Sequence, residues 1–404
     1  MKMNRIPKGC KNIGAELAEA MERCRASFLS IFASYGYRPF WPSGLQLLET
    51  ALDKLSPYLK RRIIPLSSPH GEPCCLRTDI TLGVVAYCAA HHPPHERPLR
   101  ISYADRLFRI PSSPNYDIEG YQLGAELIGW EGRGADVEII SLLLEFLEKL
   151  GLRGYRLVLG DANVIATALE GVPTPVSEEL LSCLQGGNYS AYYATLKKEA
   201  IDGDRRKLLQ ALPNLKGAKN VIDEASVLFG SFEPLASLKS IADSLEELGY
   251  GSISFFDLGL VRELGYYSGP VFDVFLEGVG VPIGGGGRYD RLLAQYGVLG
   301  QAVGFALNLE RLASALSRSD FDAVPKLLLW CGPSSPSDAV ALARHLVSLD
   351  IGVEMSWHSD ASIALDLARQ RGLSWWCDAS TRIVKSTKDQ AALSLDEWLL
   401  EVRQ

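Results

Sequence analysis

Leu17, Met21, Cys24, Phe28, Ile31 and Phe32 recur mostly three or four positions apart, and this period predicts a helix over 14–35. Tyr35-Gly36-Tyr37 ends it, and the prolines in Arg38-Pro39-Phe40-Trp41-Pro42 continue the chain as an extended segment. Leu99 to Tyr103 reads as a strand. Gln122, Gly124 and Glu126 alternate within another strand, so all three point to one face. An amphipathic helix follows over 134–150 and a strand over 155–159. Residues 163–248 carry helical periods without the alternation of strands, which predicts a helical insertion. The chain returns to a sheet at Leu258, and Val271, Val274 and Phe275 predict a further strand. Gly284 to Gly287 read as a close-packed turn between strands. The lysine and hydroxyl of a phosphate-binding loop are missing around them. Residues 303–308 then form a strand that runs into a helix opening at Leu309-Glu310-Arg311-Leu312.

Residues 317–326 read as a linker. Beyond it come a strand over 327–331, a helix over 337–349 with Ala339, Leu342 and Leu346 on one face, a strand over 352–357, a helix ending at Gln370 and a strand over 374–378. That order predicts a small parallel or mixed sheet. Two domains are therefore expected, over 1–316 and 326–404.

Composition narrows the class. The 404 residues are 47% hydrophobic, enough for two substantial cores, and no run of eighteen apolar residues predicts a membrane span. The N-terminus lacks the apolar stretch of a secretory signal. The eight cysteines lack metal-type spacing, and inert thiols in a reducing cytoplasm are expected. No metal or cofactor is expected. The net charge of −7 offers no footprint for a nucleic-acid backbone. Lys60-Arg61-Arg62, Lys197-Lys198 and Arg205-Arg206-Lys207 read as solvated surface.

One local pair carries candidate chemistry. Asp79 and Thr81 lie two apart, and in an extended segment they share a face that suits an ammonium group. Asp79 also precedes the apolar run 81–90, where it would serve as a helix N-cap.

Three stretches give that pair a context. Arg262-Glu263-Leu264-Gly265-Tyr266-Tyr267 resembles the Arg-Gly-Leu-Asp-Tyr-Tyr signature of histidyl-tRNA synthetases. Gly286-Gly287-Arg288-Tyr289-Asp290 matches the segment that follows it there, and Gly304-Phe305-Ala306 through Glu310-Arg311-Leu312 resembles motif 3 of class II synthetases. Leu76-Arg77-Thr78-Asp79-Ile80-Thr81 resembles the family's Leu-Arg-Pro-Glu/Asp-x-Thr segment. Phe108-Arg109 and the strand holding Gln122, Gly124 and Glu126 resemble motif 2, and the first helix with its following strand resembles motif 1. The fold this implies is α+β: a class II aminoacyl-tRNA synthetase-like antiparallel sheet flanked by helices, with a helical insertion and a small C-terminal α/β domain like a reduced anticodon-binding domain.

Carried over position by position, the resemblance implies a histidine pocket of Asp79, Thr81, Gln122, Glu126, Arg262, Tyr266, Tyr267 and Tyr289, beside a remnant nucleotide site holding Arg109 and Arg311. Several family positions are changed. Pro111 replaces the motif 2 glutamate, Ile118 the second arginine, and Glu263 and Gly265 interrupt the Tyr-Tyr signature. A site that keeps its amino-acid half and loses phosphate clamps resembles the ATP phosphoribosyltransferase regulatory subunits. That resemblance implies a non-catalytic, cytoplasmic subunit of the first step of histidine biosynthesis. Its effector would be L-histidine and its partner a short-form catalytic subunit, joined by a homodimer of this chain in a hetero-oligomer, with no tRNA and no membrane contact. The alternatives are a divergent histidine–tRNA ligase and a stand-alone amino-acid-binding paralogue. Pyrophosphate exchange with histidine and ATP separates the ligase from the rest.

Overall fold

Five residues of the predicted first helix, Met21, Cys24, Phe28, Ile31 and Phe32, turn inward from Ala15–Ser34. Phe28 and Phe32 pack against Phe305, with ring centroids 6.2 and 5.7 Å away. The helix thereby closes one face of the sheet that carries the site. These contacts come from a computed structural model that describes residues 6–92, 96–111, 117–230, 232–262, 265–316, 326–389 and 391–402. The predicted linker falls almost entirely outside those residues, as do Glu263 and most of the polar loop after Pro111.

Two compact units divide the chain at Ser317 and Arg318. The first is built on a nine-stranded sheet. From one edge its strands run Arg38–Pro39, Leu99–Phe108, Glu119–Ile128, Ala302–Asn308, Gly284–Arg288, Pro270–Leu276, Tyr155–Asp161, Ser254–Asp257 and Lys216–Gly217. The central pairs are antiparallel. The Arg38–Pro39 strand and the Ser254–Asp257 strand each join a neighbour in parallel, so the sheet is mixed. The motif stretches far apart in sequence become adjacent strands at its middle. Thr174–Gln185, Tyr189–Lys198, Gly203–Ala211, Asn220–Phe229 and Glu233–Glu247 supply most of the helical insertion. Within this mostly helical stretch Lys216–Gly217 pairs with the sheet edge.

The glycine run is not a turn. Gly284–Arg288 is a strand in the middle of the sheet, paired on both sides. Local turn chemistry could not reveal this, because the reason is non-local. A Cβ on Gly284 would overlap the Ala306 carbonyl, one on Gly285 the Arg262 guanidinium, and one on Gly286 the Gly304 carbonyl. Neighbouring carbonyls and side chains already fill the space that side chains would need here.

Arg205 and Arg206 also differ from their reading as solvated surface. Arg205 donates to the Thr167 carbonyl, and Arg206 donates to the carbonyls of Leu196 and Glu199 at the end of the Tyr189–Lys198 helix. These carbonyls lie at or just past helix ends, where cationic side chains are favourable partners. All eight cysteines are free, seven of them buried. Burial pushes the Cys24 thiol up to about 12.

The second unit holds a five-stranded mixed sheet ordered Gly352–Ser356, Lys326–Trp330, Trp375–Asp378, Ile383–Ser386, Ala392–Ser394. Its first three strands are parallel and connected by Pro336–Val347 and Ala361–Gln370, as the periodicity predicts. The final two strands and the Leu395–Val402 helix extend it, with Trp398 fully buried.

Candidate amino-acid site

Glycines on neighbouring strands set the shape of the site. Tyr103 lies opposite Gly124, and its ring covers the place a Cβ would take. Glu126 lies opposite Gly304, and its carboxylate does the same. Arg262 and Asp273 occupy the space above Gly285, and Tyr267 rests on Gly287. The bare strands form a floor, and long polar side chains lie flat across it.

Above this floor opens a cavity of about 820 Å³. It collects all ten residues carried over from the sequence: Asp79, Thr81, Gln122, Glu126, Arg262, Tyr266, Tyr267, Tyr289, Arg109 and Arg311. They come from both ends of the first unit, which only the sheet order brings together.

Glu126 is the centre of one half. It is 1% exposed and accepts three hydroxyl hydrogen bonds. Thr81 donates at 2.8 Å, Tyr289 at 2.7 Å and Tyr103 at 3.3 Å. These bonds favour the anion, but burial outweighs them and pushes the carboxyl up to about 8. Asp79 takes the N-cap role, and Thr81 lies in the first turn of the helix it caps rather than in an extended segment. Asp79 Oδ1 accepts from Leu82 N at 2.9 Å as the N-cap of Ile80–His91. Its Oδ2 accepts from Tyr266 OH at 3.3 Å. Burial raises its pKa as well, against the lowering effect of Arg109. Tyr266 and Tyr289 stand edge to face, 6.0 Å apart, and wall the same space. Arg262 is held by Asp273 and the Phe272 carbonyl, with its guanidinium 5.6 Å from the Tyr267 ring centre. This half can therefore offer carboxylates and hydroxyls to cationic groups, a guanidinium to an anion, and ring faces to an apolar or aromatic body.

The other half has a different character. Arg109 Nε donates to the Thr78 carbonyl at 2.8 Å, and Arg311 Nη1 to the Pro282 carbonyl at 2.7 Å. Pro111 and Ile118 line this side where the class II pattern has a carboxylate and a cation. Ile118 donates its N–H to the Gly9 carbonyl at 2.7 Å, so the N-terminal segment lies along it. Lys11 on that segment is shared between Asp117 and Glu310, at 2.5 Å from each. Its charge is already matched by two carboxylates. Gly265, where the signature has aspartate, sits at φ +70° against Ser56, a backbone conformation that suits glycine.

Sequence reasoning missed several lining residues. Tyr103, which bonds Glu126 from behind the cavity wall, had a signal, since it shares a face with Ile101 in a predicted strand, but its partner is 23 residues away. Arg62, read as solvated surface, instead lines the cavity and stacks over Tyr58 at 4.5 Å. Lys11 and Gln185, from the N-terminal segment and the helical insertion, gave no local signal. Among the described residues no group of three or more His, Cys, Asp or Glu could hold a metal ion, and no helix is long and apolar enough to cross a membrane.

Residues 9–312 match the protein family described as Histidyl-tRNA synthetase. The ATP phosphoribosyltransferase regulatory subunit of Moorella thermoacetica is 32% identical over 316 residues, spanning 77% of this chain and 81% of its own length. That of Symbiobacterium thermophilum is 31% identical over 371 residues, spanning 87% and 90%. A crystal structure described as an ATP phosphoribosyltransferase regulatory subunit/histidyl-tRNA synthetase from Bacillus halodurans C shares the fold. Its TM-score is 0.80 at 24% identity, covering 93% of this chain and 97% of its own.

Proposed function

Since the chain belongs to the family of ATP phosphoribosyltransferase regulatory subunits, built on the histidyl-tRNA synthetase domain, we propose that it is a non-catalytic subunit that senses L-histidine. It binds a short-form ATP phosphoribosyltransferase as a homodimer within a hetero-oligomer, supports that enzyme's activity and reports histidine to it. Histidine biosynthesis is the setting, and tRNA is not a partner. One observation carries this reading: the two halves of a single cavity have diverged. The amino-acid half keeps Asp79, Thr81, Gln122, Glu126, Arg262, Tyr266, Tyr267 and Tyr289 together. The phosphate half presents Pro111 and Ile118, and its Lys11 is engaged by Asp117 and Glu310. Adenylate formation needs cations placed on a triphosphate, and losing one such donor costs about 3 kcal/mol or more of transition-state stabilisation.

In this reading Glu126 meets the imidazole, Asp79 and Thr81 the ammonium, and Arg262 the carboxylate of the ligand. Calorimetry of the full chain with L-histidine, alone and with the catalytic subunit, tests it. Binding is expected, and Glu126→Ala should weaken it by about 1–3 kcal/mol. No binding by the wild type in either form would refute the assignment.

A further inference from the structure

Three features of Glu126 lead beyond the identity of the ligand. It is fully enclosed. Among the described residues its hydrogen-bond partners are the hydroxyls of Thr81, Tyr103 and Tyr289. Among the described residues no cation bonds it. The groups facing it from each packed element are Asp79, Thr81 and Cys88 from the helix at 79–91, Tyr103 from its neighbouring strand, and Tyr266, Tyr267 and Tyr289 from the far end of the unit. Asp79 adds repulsion, and Arg109 offsets part of the charge on Asp79. A carboxyl so placed favours its protonated form until a base able to take the proton arrives.

We propose that the cavity takes histidine as an imidazolium, formed when Glu126 gives its proton to the unprotonated ring nitrogen. This rests on the histidine reading above and specifies the form of the ligand. The step balances: a neutral acid and a neutral imidazole become a carboxylate and an imidazolium, with no proton exchanged with solvent. Both charges are then paired inside the cavity, and Thr81, Tyr103 and Tyr289 all donate to the carboxylate. A ligand with a neutral ring of similar shape would leave the acid unpaired, so the pocket selects for ring basicity as well as shape.

The pH dependence follows. Between the free imidazole pKa, about 6.5, and that of Glu126 in the empty site, about 8, binding moves a proton internally and affinity is flat. Below this window the ligand arrives already charged and Glu126 must release its proton, so affinity falls as pH falls. Above it Glu126 is already ionised and a proton must be taken up, so affinity falls as pH rises. From pH 7.5 to 9.0 the wild type should lose about eightfold in affinity from this group alone. Glu126→Gln has no proton to supply, so the same rise should leave only the change due to the ligand's own amine. Tyr103→Phe removes one donor to the carboxylate and should move the upper limb to higher pH.

The direct test is nitrogen NMR of ring-labelled L-histidine bound to the full chain at pH 7.5, alone and with the catalytic subunit. Two protonated ring nitrogens are expected. A bound neutral tautomer, or an affinity that changes equally with pH in wild type and Glu126→Gln, would overturn the proposal while leaving histidine sensing intact. Failure to bind histidine at all would overturn both.

Discussion

Gly304 lies directly across the sheet from Glu126, and a Cβ at position 304 would take the place of the Glu126 carboxylate. The same Cβ would stand 2.6 Å from the Ala125 carbonyl, which cannot move without breaking the strand pair. Gly304→Ala should therefore lower stability by about 1–3 kcal/mol, the usual range for overpacking. It should also reduce histidine affinity more than tenfold, since displaced Glu126 loses its hydroxyl partners. A folded Gly304→Ala protein with wild-type affinity would show that Glu126 does not contact the ligand.

The raised pKa of Glu126 has a consequence for stability. In the folded protein the carboxyl titrates near 8, and its ordinary value is 4.5. The folded state thus holds the proton more tightly, and its contribution to stability is complete below pH 4.5 and is lost as pH rises through 8. The slope reaches at most about 1.4 kcal/mol per pH unit. Glu126→Gln lacks this loss, so it should gain on the wild type between pH 5.5 and 8 by several kcal/mol at most. Denaturant unfolding at the two pH values measures the difference. An unchanged difference would mean that Glu126 is ionised in the folded state throughout.

Much of this site was legible in the sequence because its motifs are short and local. Gln122 and Glu126 fall in one strand as their period predicts, and Asp79 is the helix cap its position predicts. What escaped notice depends on neighbours distant in sequence. Gly284 to Gly287 look like a turn until the carbonyls of Ala306 and Gly304 are set beside them. Arg206 looks like surface until the helix end it caps is in place. Lys11 needs Asp117 and Glu310, more than 100 and almost 300 positions further on, before its charge can be seen as matched.

Arg288 offers a test of the scaffold apart from the ligand. Its guanidinium donates to Asp136 at 3.2 and 2.7 Å, to the Gly132 carbonyl at 2.9 Å and to Gln301 at 2.8 Å. These bonds fasten the start of the Arg133–Lys149 helix to the glycine strand. Arg288→Ala would strand the buried Asp136 carboxyl, whose pKa burial already raises. A loss of about 3–5 kcal/mol is expected from denaturant unfolding. A loss below 1 kcal/mol would show that the pair is not structural.

The chain should show no histidine-dependent pyrophosphate exchange. Arg109 and Arg311 remain in the cavity, but both donate to backbone carbonyls, and Pro111 and Ile118 cannot bind phosphate. Exchange above background that Arg262→Ala abolishes would make the chain a ligase instead.

The final prediction concerns the partner. A protein that binds histidine without reacting it must act through another, and the regulatory reading names a short-form ATP phosphoribosyltransferase. The purified proteins should associate, and phosphoribosyl-ATP formation by the complex should fall as histidine rises. A tenfold inhibition needs histidine to favour one state of the complex by about 1.4 kcal/mol, within the usual range of coupling. If histidine acts by weakening substrate binding, substrate must weaken histidine binding by the same factor. Glu126→Ala should shift the inhibition curve to higher histidine in proportion to its lost affinity, because the mutation lies inside a cavity that Thr81, Tyr103 and Tyr289 close around the carboxylate. An assay of the complex across histidine concentrations, with wild type and Glu126→Ala, decides the matter. Inhibition of equal midpoint in the two would place the histidine sensor elsewhere in the assembly, and failure of the proteins to associate would remove the regulatory role altogether.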